Sequence, residues 1–283
     1  MTNHKNDLFG QRMKSFEKGE VLSSTNQDEF RALNPNKPII ARLDGNRFGK
    51  FTEDLNYPYD DRFSTVMQRT TYHLLESYGD IVAGYVQSDE ITLLFKTLKT
   101  EEGQSFIFNA RIQKLASILA ANASVFFNSE LLHYLPEKVK ERPVFDCRVW
   151  NVPTTEEAIN SLLWRIQDCE KNAVQMAARS MFSHKETMDK TPEQLKEKML
   201  TEKNVNYKQT YPFPFMHGSL FVRKVQKSNF KQLTEEQRQE LPEKHFARKN
   251  PELEFQRSKV IQVFYQDGFS KMPDLKEFIY SSH

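Results

Sequence analysis

The chain has 283 residues, enough for one large domain or two small ones, with 38% hydrophobic residues, 28% charged residues and a formal net charge of +2. That composition is globular, and its only two cysteines, Cys147 and Cys169, exclude a disulfide framework or a cysteine-based metal motif. No uninterrupted apolar run approaches the roughly 20 residues that cross a bilayer. The start, Met1-Thr2-Asn3-His4, lacks the apolar core of a secretion signal, so the expected setting is cytoplasmic, with reduced thiols and no membrane partner.

In chain order, residues 7–20 carry Leu8, Met13 and Phe16 among charges and predict a weak amphipathic helix. A polar loop follows, ending in Asn34-Pro35-Asn36-Lys37-Pro38. The run 39–43 (Ile-Ile-Ala-Arg-Leu) is short and β-branched, so it reads as a buried strand, and Asp44-Gly45 ends it. Residues 60–78 predict a helix, with Phe63, Val66, Met67, Thr70, Leu74 and Leu75 at helical spacing. Strands are predicted over 81–87 and 91–95, joined by a tight Ser88-Asp89 turn into a hairpin. A long apolar helix is expected over 104–127, a strand over 144–149, and a helix over 154–182 with Thr155 as its cap and Glu156-Glu157 suited to its first turn. Beyond it, 192–200 reads as a short helix and 219–225 as a strand, and the rest forms an ill-defined cap.

The order β, α, β-hairpin, α, β, α is the split βαβ arrangement of ferredoxin-like antiparallel sheets. The fold class expected is therefore α/β (α+β) of the polymerase-palm kind, with helices packed on the sheet and a C-terminal extension. Residues 1–182 are expected to form the palm-like catalytic domain and 183–283 a C-terminal portion packed on it.

Chemistry concentrates where two strands end. Asp44 closes one strand, and Asp89 lies at the tip of the hairpin formed by the next two. If those strands are neighbours, the two carboxylates leave one sheet edge at nearly the same height and repel each other unless a cation lies between them. All-oxygen ligands favour Mg²⁺, which commonly bridges carboxylates to substrate phosphates, so two-metal phosphoryl or nucleotidyl transfer is the first expectation. Gly45 lets the backbone approach a ligand, its carbonyl is a candidate metal donor, and the N–H groups after it are candidate phosphate donors. Asp-Gly is also an ordinary turn dipeptide; the signal lies in the combination. Arg42, two residues before Asp44, shares its face and suits either a phosphate contact or a structural ion pair. Glu90 alternates away from Asp89 and is expected to be structural. Arg165 and Asp168 are three apart on one helix and suit an ion pair. His217 reads as structural. From Lys203 to Thr234 there is no acidic residue, and Tyr207, Tyr211, Phe213, Phe215, Phe221 and Phe230 interleave with cations. That pattern suits a polynucleotide, and equally a basic surface over inward-pointing aromatics.

Three segments resemble the tRNA-His guanylyltransferase family, including its bacterial and archaeal relatives. They are Arg42-Leu43-Asp44-Gly45 with Phe48 and Phe51, then Gln87-Ser88-Asp89-Glu90 before an apolar strand, then Phe145-Asp146-Cys147-Arg148-Val149 with Trp164-Arg165, Asp168-Cys169 and Asn172. A fainter likeness runs through Asn204-Val205-Asn206-Tyr207 to His217-Gly218-Ser219. The resemblance spans roughly residues 9–225. It implies an enzyme that extends the 5′ end of tRNA in the 3′-to-5′ direction, using GTP and ATP. Asp44 and Asp89 would be catalytic and, with the Gly45 carbonyl, would hold two Mg²⁺ ions. Asp44, Gly45, Asn46, Arg47, Phe48, Gly49, Ser88 and Asp89 would bind the nucleotide. A homotetramer is implied as well.

The chain departs from the family pattern in places. The family often reads Asp-Gly-Arg-x-Phe-His, where this chain has Asp44-Gly45-Asn46-Arg47-Phe48-Gly49. Glu170-Lys171-Asn172-Ala173 stands at the usual His-Ile-Asn-Asn. Tyr57 and His217 each stand where a lysine is usual. These changes leave the carboxylates intact and favour the branch that repairs truncated tRNA 5′ ends by templated addition. Two other readings share the sheet: a palm-type nucleotide cyclase and a non-catalytic RNA-binding palm. The basic aromatic stretch speaks against the first, and two retained aspartates against the second.

Overall fold

The computed structural model describes residues 8–17, 32–98 and 105–281. Its elements are α1 (Leu8–Glu17), β1 (Ile39–Gly45), α2 (Phe48–Phe51), α3 (Asp61–Ser77), β2 (Ile81–Gln87), β3 (Glu90–Phe95), α4 (Ile112–Tyr134), β4 (Phe145–Asn151), α5 (Thr155–Arg179), α6 (His184–Thr187), α7 (Pro192–Lys203), α8 (Tyr207–Thr210), α9 (Phe213–His217), β5 (Ser219–Ser228), α10 (Glu235–Glu240), α11 (Phe246–Lys249), β6 (Phe255–Val263) and α12 (Leu275–Tyr280). Most of the expected polar loop before residue 34 lies outside the described residues.

The strands form one six-stranded sheet in the order β4-β1-β3-β2-β5-β6, every neighbouring pair antiparallel. Its first four strands have the ferredoxin-like order expected of a palm. Alternation along β1 explains the layering. Ile39, Ala41 and Leu43 join Ile91, Leu93 and Phe95 in a core under α3 and α4, with Leu74, Leu119 and Phe127. Ile40 and Leu94 point the other way, against Leu162 and Ile166 of α5. Covered on both sides, β2 and β3 are buried at every position, which is why they read as continuous apolar runs.

Several elements differ from expectation for identifiable reasons. The helix expected over 104–127 begins only at Ile112, because 107–110 form a separate 3₁₀ turn in which the Ile107 N–H donates to the Asp80 carboxylate at 2.8 Å. The α5 cap is Thr154, not Thr155: its hydroxyl accepts from the Glu157 N–H. β6 has no counterpart in the sequence reading, since only Phe255, Val260 and Val263 of its nine residues are buried. As an edge strand it tolerates polar side chains at most positions. Both β5 and β6 extend the sheet beyond β2, so the sheet crosses the expected 182/183 boundary. α4 is 23 residues long and is, by length and composition only, apolar enough to cross a membrane, unlike what run lengths indicated. Here Leu115, Leu119, Ala123, Phe127 and Leu131 bury one side of it in the α3/α4 core.

The basic aromatic stretch divides. Tyr207, Phe215 and Phe221 are buried. Arg223 is buried too, its Nε donating to the Ile81 carbonyl at 3.0 Å and an Nη to Ser258 Oγ at 3.0 Å. Lys203, Lys208 and Lys227 remain exposed.

Candidate active site

β1 and β3 are paired with Asp44 opposite Glu90, which brings the end of β1 beside the β2–β3 hairpin tip. The Gly45 N–H donates to the Asp89 carbonyl at 3.1 Å and ties the two together. Ser88 adopts a left-handed conformation (φ 45°), which lets a two-residue turn reverse the chain and hold Asp89 at the edge. Asp44, Ser88 and Asp89 line one cavity of about 760 Å³ between the α2–α3 segment and α5.

Burial pushes the Asp89 carboxyl up to about 6, and the charge of Asp44 adds to the shift. The two carboxylates therefore feel each other, as the strand ends implied. Among the described residues no group of three or more His, Cys, Asp or Glu side chains forms a self-sufficient metal cage. Two carboxylates and a nearby backbone carbonyl make an oxygen-only, incomplete donor set, which fits Mg²⁺ sharing its shell with water and phosphate.

The nucleotide-site residues do not all end up alike. Gly49 lines the cavity with Asp44, Ser88 and Asp89. Asn46 and Arg47 are exposed on the loop, and the Asn46 N–H is taken by the Val144 carbonyl at 2.8 Å. The Phe48 side chain is a correction: it is 2% exposed and packs on the Phe51, Phe63, Phe127 and Phe145 rings, so it supports the loop from beneath. Gly45 is required by that ring. A Cβ on residue 45 would lie 2.4 Å from Phe48 ring carbons held by four other aromatics. Gly45→Ala should cost about 1–3 kcal/mol of stability through overpacking. A melt unchanged from wild type would show that the loop yields.

Beneath the carboxylates, Glu90 is gripped by two guanidiniums. Arg165 donates from Nε to Glu90 Oε1 at 2.6 Å and from Nη2 to Oε2 at 2.8 Å, while Arg42 Nε lies 3.8 Å from Oε2. Arg42 thus takes the ion-pair role rather than the phosphate role. Arg165 also pairs with Asp168 at 3.2 Å, as its spacing indicated. The sequence reading missed the Arg165–Glu90 contact and the further polar wall of the cavity, which includes Asn172, Gln175 and Arg179 of α5 and Ser64 and Gln68 of α3. A signal existed on α5: residues 165, 168, 172, 175 and 179 recur at helical spacing as one polar stripe.

Two of the family departures meet in space. His217 Nδ1 lies 3.0 Å from Glu170 Oε1, and Ser270 Oγ donates to the same carboxylate at 2.8 Å. They sit on the side of α5 turned away from the aspartates. Both cysteines are free, and burial pushes the Cys169 thiol up to about 12.

Residues 10–153 match the family model described as tRNAHis guanylyltransferase. The chain is 34% identical over 197 residues to an uncharacterized protein of Acanthamoeba polyphaga mimivirus, covering 62% of this chain and 64% of that one. It is 28% identical over 203 residues to tRNA(His) guanylyltransferase 1 of Arabidopsis thaliana, covering 67% of this chain and 35% of that protein. The matches thus span less than two thirds of either relative. Among solved structures, a bacterial tRNA(His) guanylyltransferase-like protein in complex with ATP is similar in fold, with a TM-score of 0.67 and 24% identity over 96% of this chain and 98% of that one.

Proposed function

Because the chain belongs to the tRNAHis guanylyltransferase family, we propose that it is a Mg²⁺-dependent nucleotidyltransferase that adds nucleotides to the 5′ end of a tRNA in the 3′-to-5′ direction. The observation that carries this reading is the convergence of Asp44 and Asp89 on one cavity, with the Asp89 carboxyl raised by burial and by its neighbour's charge. GTP and ATP are the proposed nucleotides, supported by relatives of the same fold solved with each. A cyclase or a binding-only palm is not favoured by the family match.

Asp44, Asp89 and the Gly45 carbonyl would hold two Mg²⁺ ions, which when bound supply charge neutralisation and polarise phosphoryl oxygens. The chain's own groups do the positioning. β1 and the β2–β3 turn position the aspartates, and the Arg165–Glu90–Arg42 cluster holds the start of β3 beside that turn. Gly49 and Ser88, beside the carboxylates in the cavity wall, would contact the nucleotide. The altered residues at 46, 49, 57, 170 and 217 support templated repair of truncated ends over the addition of a single G to tRNA-His.

Asp89 must lose its proton to bind a cation, and its pKa lies near 6. Mg²⁺ affinity should therefore fall about tenfold per pH unit below 6. Titrations at pH 5 and pH 7.5 read this directly, and equal affinities would remove Asp89 from the donor set.

The activity is tested with Mg²⁺, labelled nucleoside triphosphates and two 5′-monophosphorylated tRNAs, one full-length tRNA-His and one lacking its first nucleotide. Extension of the truncated tRNA only by the nucleotide that pairs with its acceptor strand supports templated repair. Addition of G to tRNA-His alone makes the enzyme a guanylyltransferase in the strict sense. Extension of neither overturns the proposal. The homotetramer belongs to the same proposal and is read by light scattering.

A further inference from the structure

Among the described residues, two cationic side chains border the cavity that holds the aspartates, Arg165 and Arg179, both on α5. Arg165 is engaged: it donates twice to Glu90 and pairs with Asp168 at 3.2 Å. Arg179 is exposed, and among the described residues its side chain enters no ion pair and no hydrogen bond. The carboxylates of the cavity are unequal as well. Glu90 is held by its two arginines, and Asp60 by Arg62 at 2.9 Å and by backbone N–H groups. Asp44, Glu53 and Asp89 enter no ion pair among the described residues. Arg179 is therefore the one uncommitted cation on an acidic cavity wall. The rise of an α-helix sets it on the order of 20 Å along α5 from Arg165, at the end remote from the aspartates.

A second observation is independent of the charges. Tyr59 packs edge-on against Phe215, ring centres 5.6 Å apart, and both join a cluster with Ala177 and Ala178, the α5 residues next to Arg179. That contact brings the loop before α3 to the same end of the cavity. There Tyr57 borders the cavity with 59% of its surface exposed, a large ring that no core packing explains. A free guanidinium and a wet aromatic face thus stand at one end of the cavity.

We propose that Arg179 binds a phosphate group of a substrate nucleotide at this end of the cavity, with Tyr57 beside it as a face for the base. The inference rests on the nucleotide and RNA substrates proposed above. A terminal phosphate brings a charge of about −1.5 to −2 into a cavity whose carboxylates already repel it. The guanidinium offsets that repulsion, and its planar fork matches two phosphate oxygens at once. An exposed ring stacks on any base, because every base has a π-face. Two substrates carry such a phosphate, the free nucleoside triphosphate and the 5′ end of the RNA. The chemistry is the same for both, and the experiment separates them.

The test compares wild type with Arg179→Gln, Arg179→Lys and Tyr57→Ala in two binding series. Calorimetry with Mg²⁺ and no RNA gives the affinities for GTP and guanosine. Anisotropy with no nucleotide gives those for one tRNA transcript bearing a 5′-monophosphate or a 5′-hydroxyl. Wild type should prefer the phosphorylated member of each series. Arg179→Gln should lose about tenfold or more of that preference in one series, while the member without phosphate binds as before. Loss between GTP and guanosine assigns the contact to the triphosphate, and loss between the two transcripts assigns it to the RNA 5′ end. Arg179→Lys keeps the charge without the fork and should fall between wild type and Arg179→Gln. Tyr57→Ala should weaken both members of the same series alike, by about fivefold, since the ring meets the base. Melting temperatures should stay at the wild-type value, because both side chains are exposed. Wild-type preferences in both series for Arg179→Gln would overturn the proposal. So would a lowered melting temperature with those preferences intact, which would leave Arg179 only complementing the dipole at the end of α5. If wild type extends no RNA while Arg179→Gln still loses the preference, the proposed activity fails and this site stands.

Discussion

Asp89→Ala should reduce nucleotide addition by about 10²–10⁴-fold while the metal-free variant melts at a higher temperature than wild type. Loss of one of two carboxylates removes several kcal/mol of cation-mediated transition-state stabilisation, and each 1.36 kcal/mol is tenfold in rate, hence the range. The stability gain has the opposite origin. The folded-state pKa of Asp89, about 6, lies above its ordinary 3.8, so the folded chain keeps this proton longer than the unfolded one. The contribution of Asp89 to stability is therefore lost as pH rises from about 4 through about 6. At pH 7 the ionised carboxylate costs about 2–3 kcal/mol in the absence of metal, and the alanine relieves that cost. Mg²⁺ should raise the melting temperature of wild type and leave the variant unmoved, because only the folded wild type binds it. Activity within threefold of wild type, or a variant less stable than wild type without metal, would sink the assignment. RNA binding should mostly persist in the variant, since the exposed lysines of the basic stretch, Lys203, Lys208 and Lys227, are untouched.

Glu90→Ala carries the largest expected stability loss. The Glu90, Arg42 and Arg165 side chains are only 11–13% exposed, and removing the carboxylate takes from Arg165 its two-point partner and from Arg42 its ion pair, leaving Arg165 the Asp168 contact. Breaking a buried pair in this way costs about 3–5 kcal/mol. Replacing the pair with apolar groups, as in Glu90→Leu/Arg165→Met, should be less damaging than Glu90→Ala, because the guanidinium at position 165 is removed together with its carboxylate. Denaturant unfolding of the two variants and wild type measures the difference. A loss below about 1 kcal/mol for Glu90→Ala would show that the cluster is solvated and weak. Activity should also fall, since Glu90 immediately follows Asp89 and fixes the hairpin on which it stands.

The legible parts of the fold were those set by local pattern. β2 is buried along its whole length because it is central and covered on both faces, and its run of Ile81, Val82, Ala83, Tyr85 and Val86 announced that. The ferredoxin-like strand order followed from element order and the hairpin. β6 was not legible, because an edge strand needs few apolar residues and its central Arg257, Ser258 and Lys259 resemble a loop. The start of α4 was misplaced because Phe106 and Ile107 are apolar but belong to a turn anchored by Asp80. Within the site, the nearness of Asp44 and Asp89 was legible because one ends a strand and the other tips the hairpin that follows. The contact of Glu90 with Arg165, 75 residues away, was not.

Sequence alone determined the candidates: carboxylates after apolar strands and a glycine where backbone must approach. Those properties arise from short-range periodicity, which the order of residues carries in full. Only the tertiary structure decided the partners. It sent Arg42 to Glu90, buried Phe48 under the loop, and divided the basic aromatic stretch between core and surface. It also set Glu170 against His217 on the far side of α5. Those outcomes depend on which faces meet when helices close over both sides of the sheet, and no local spacing encodes that meeting.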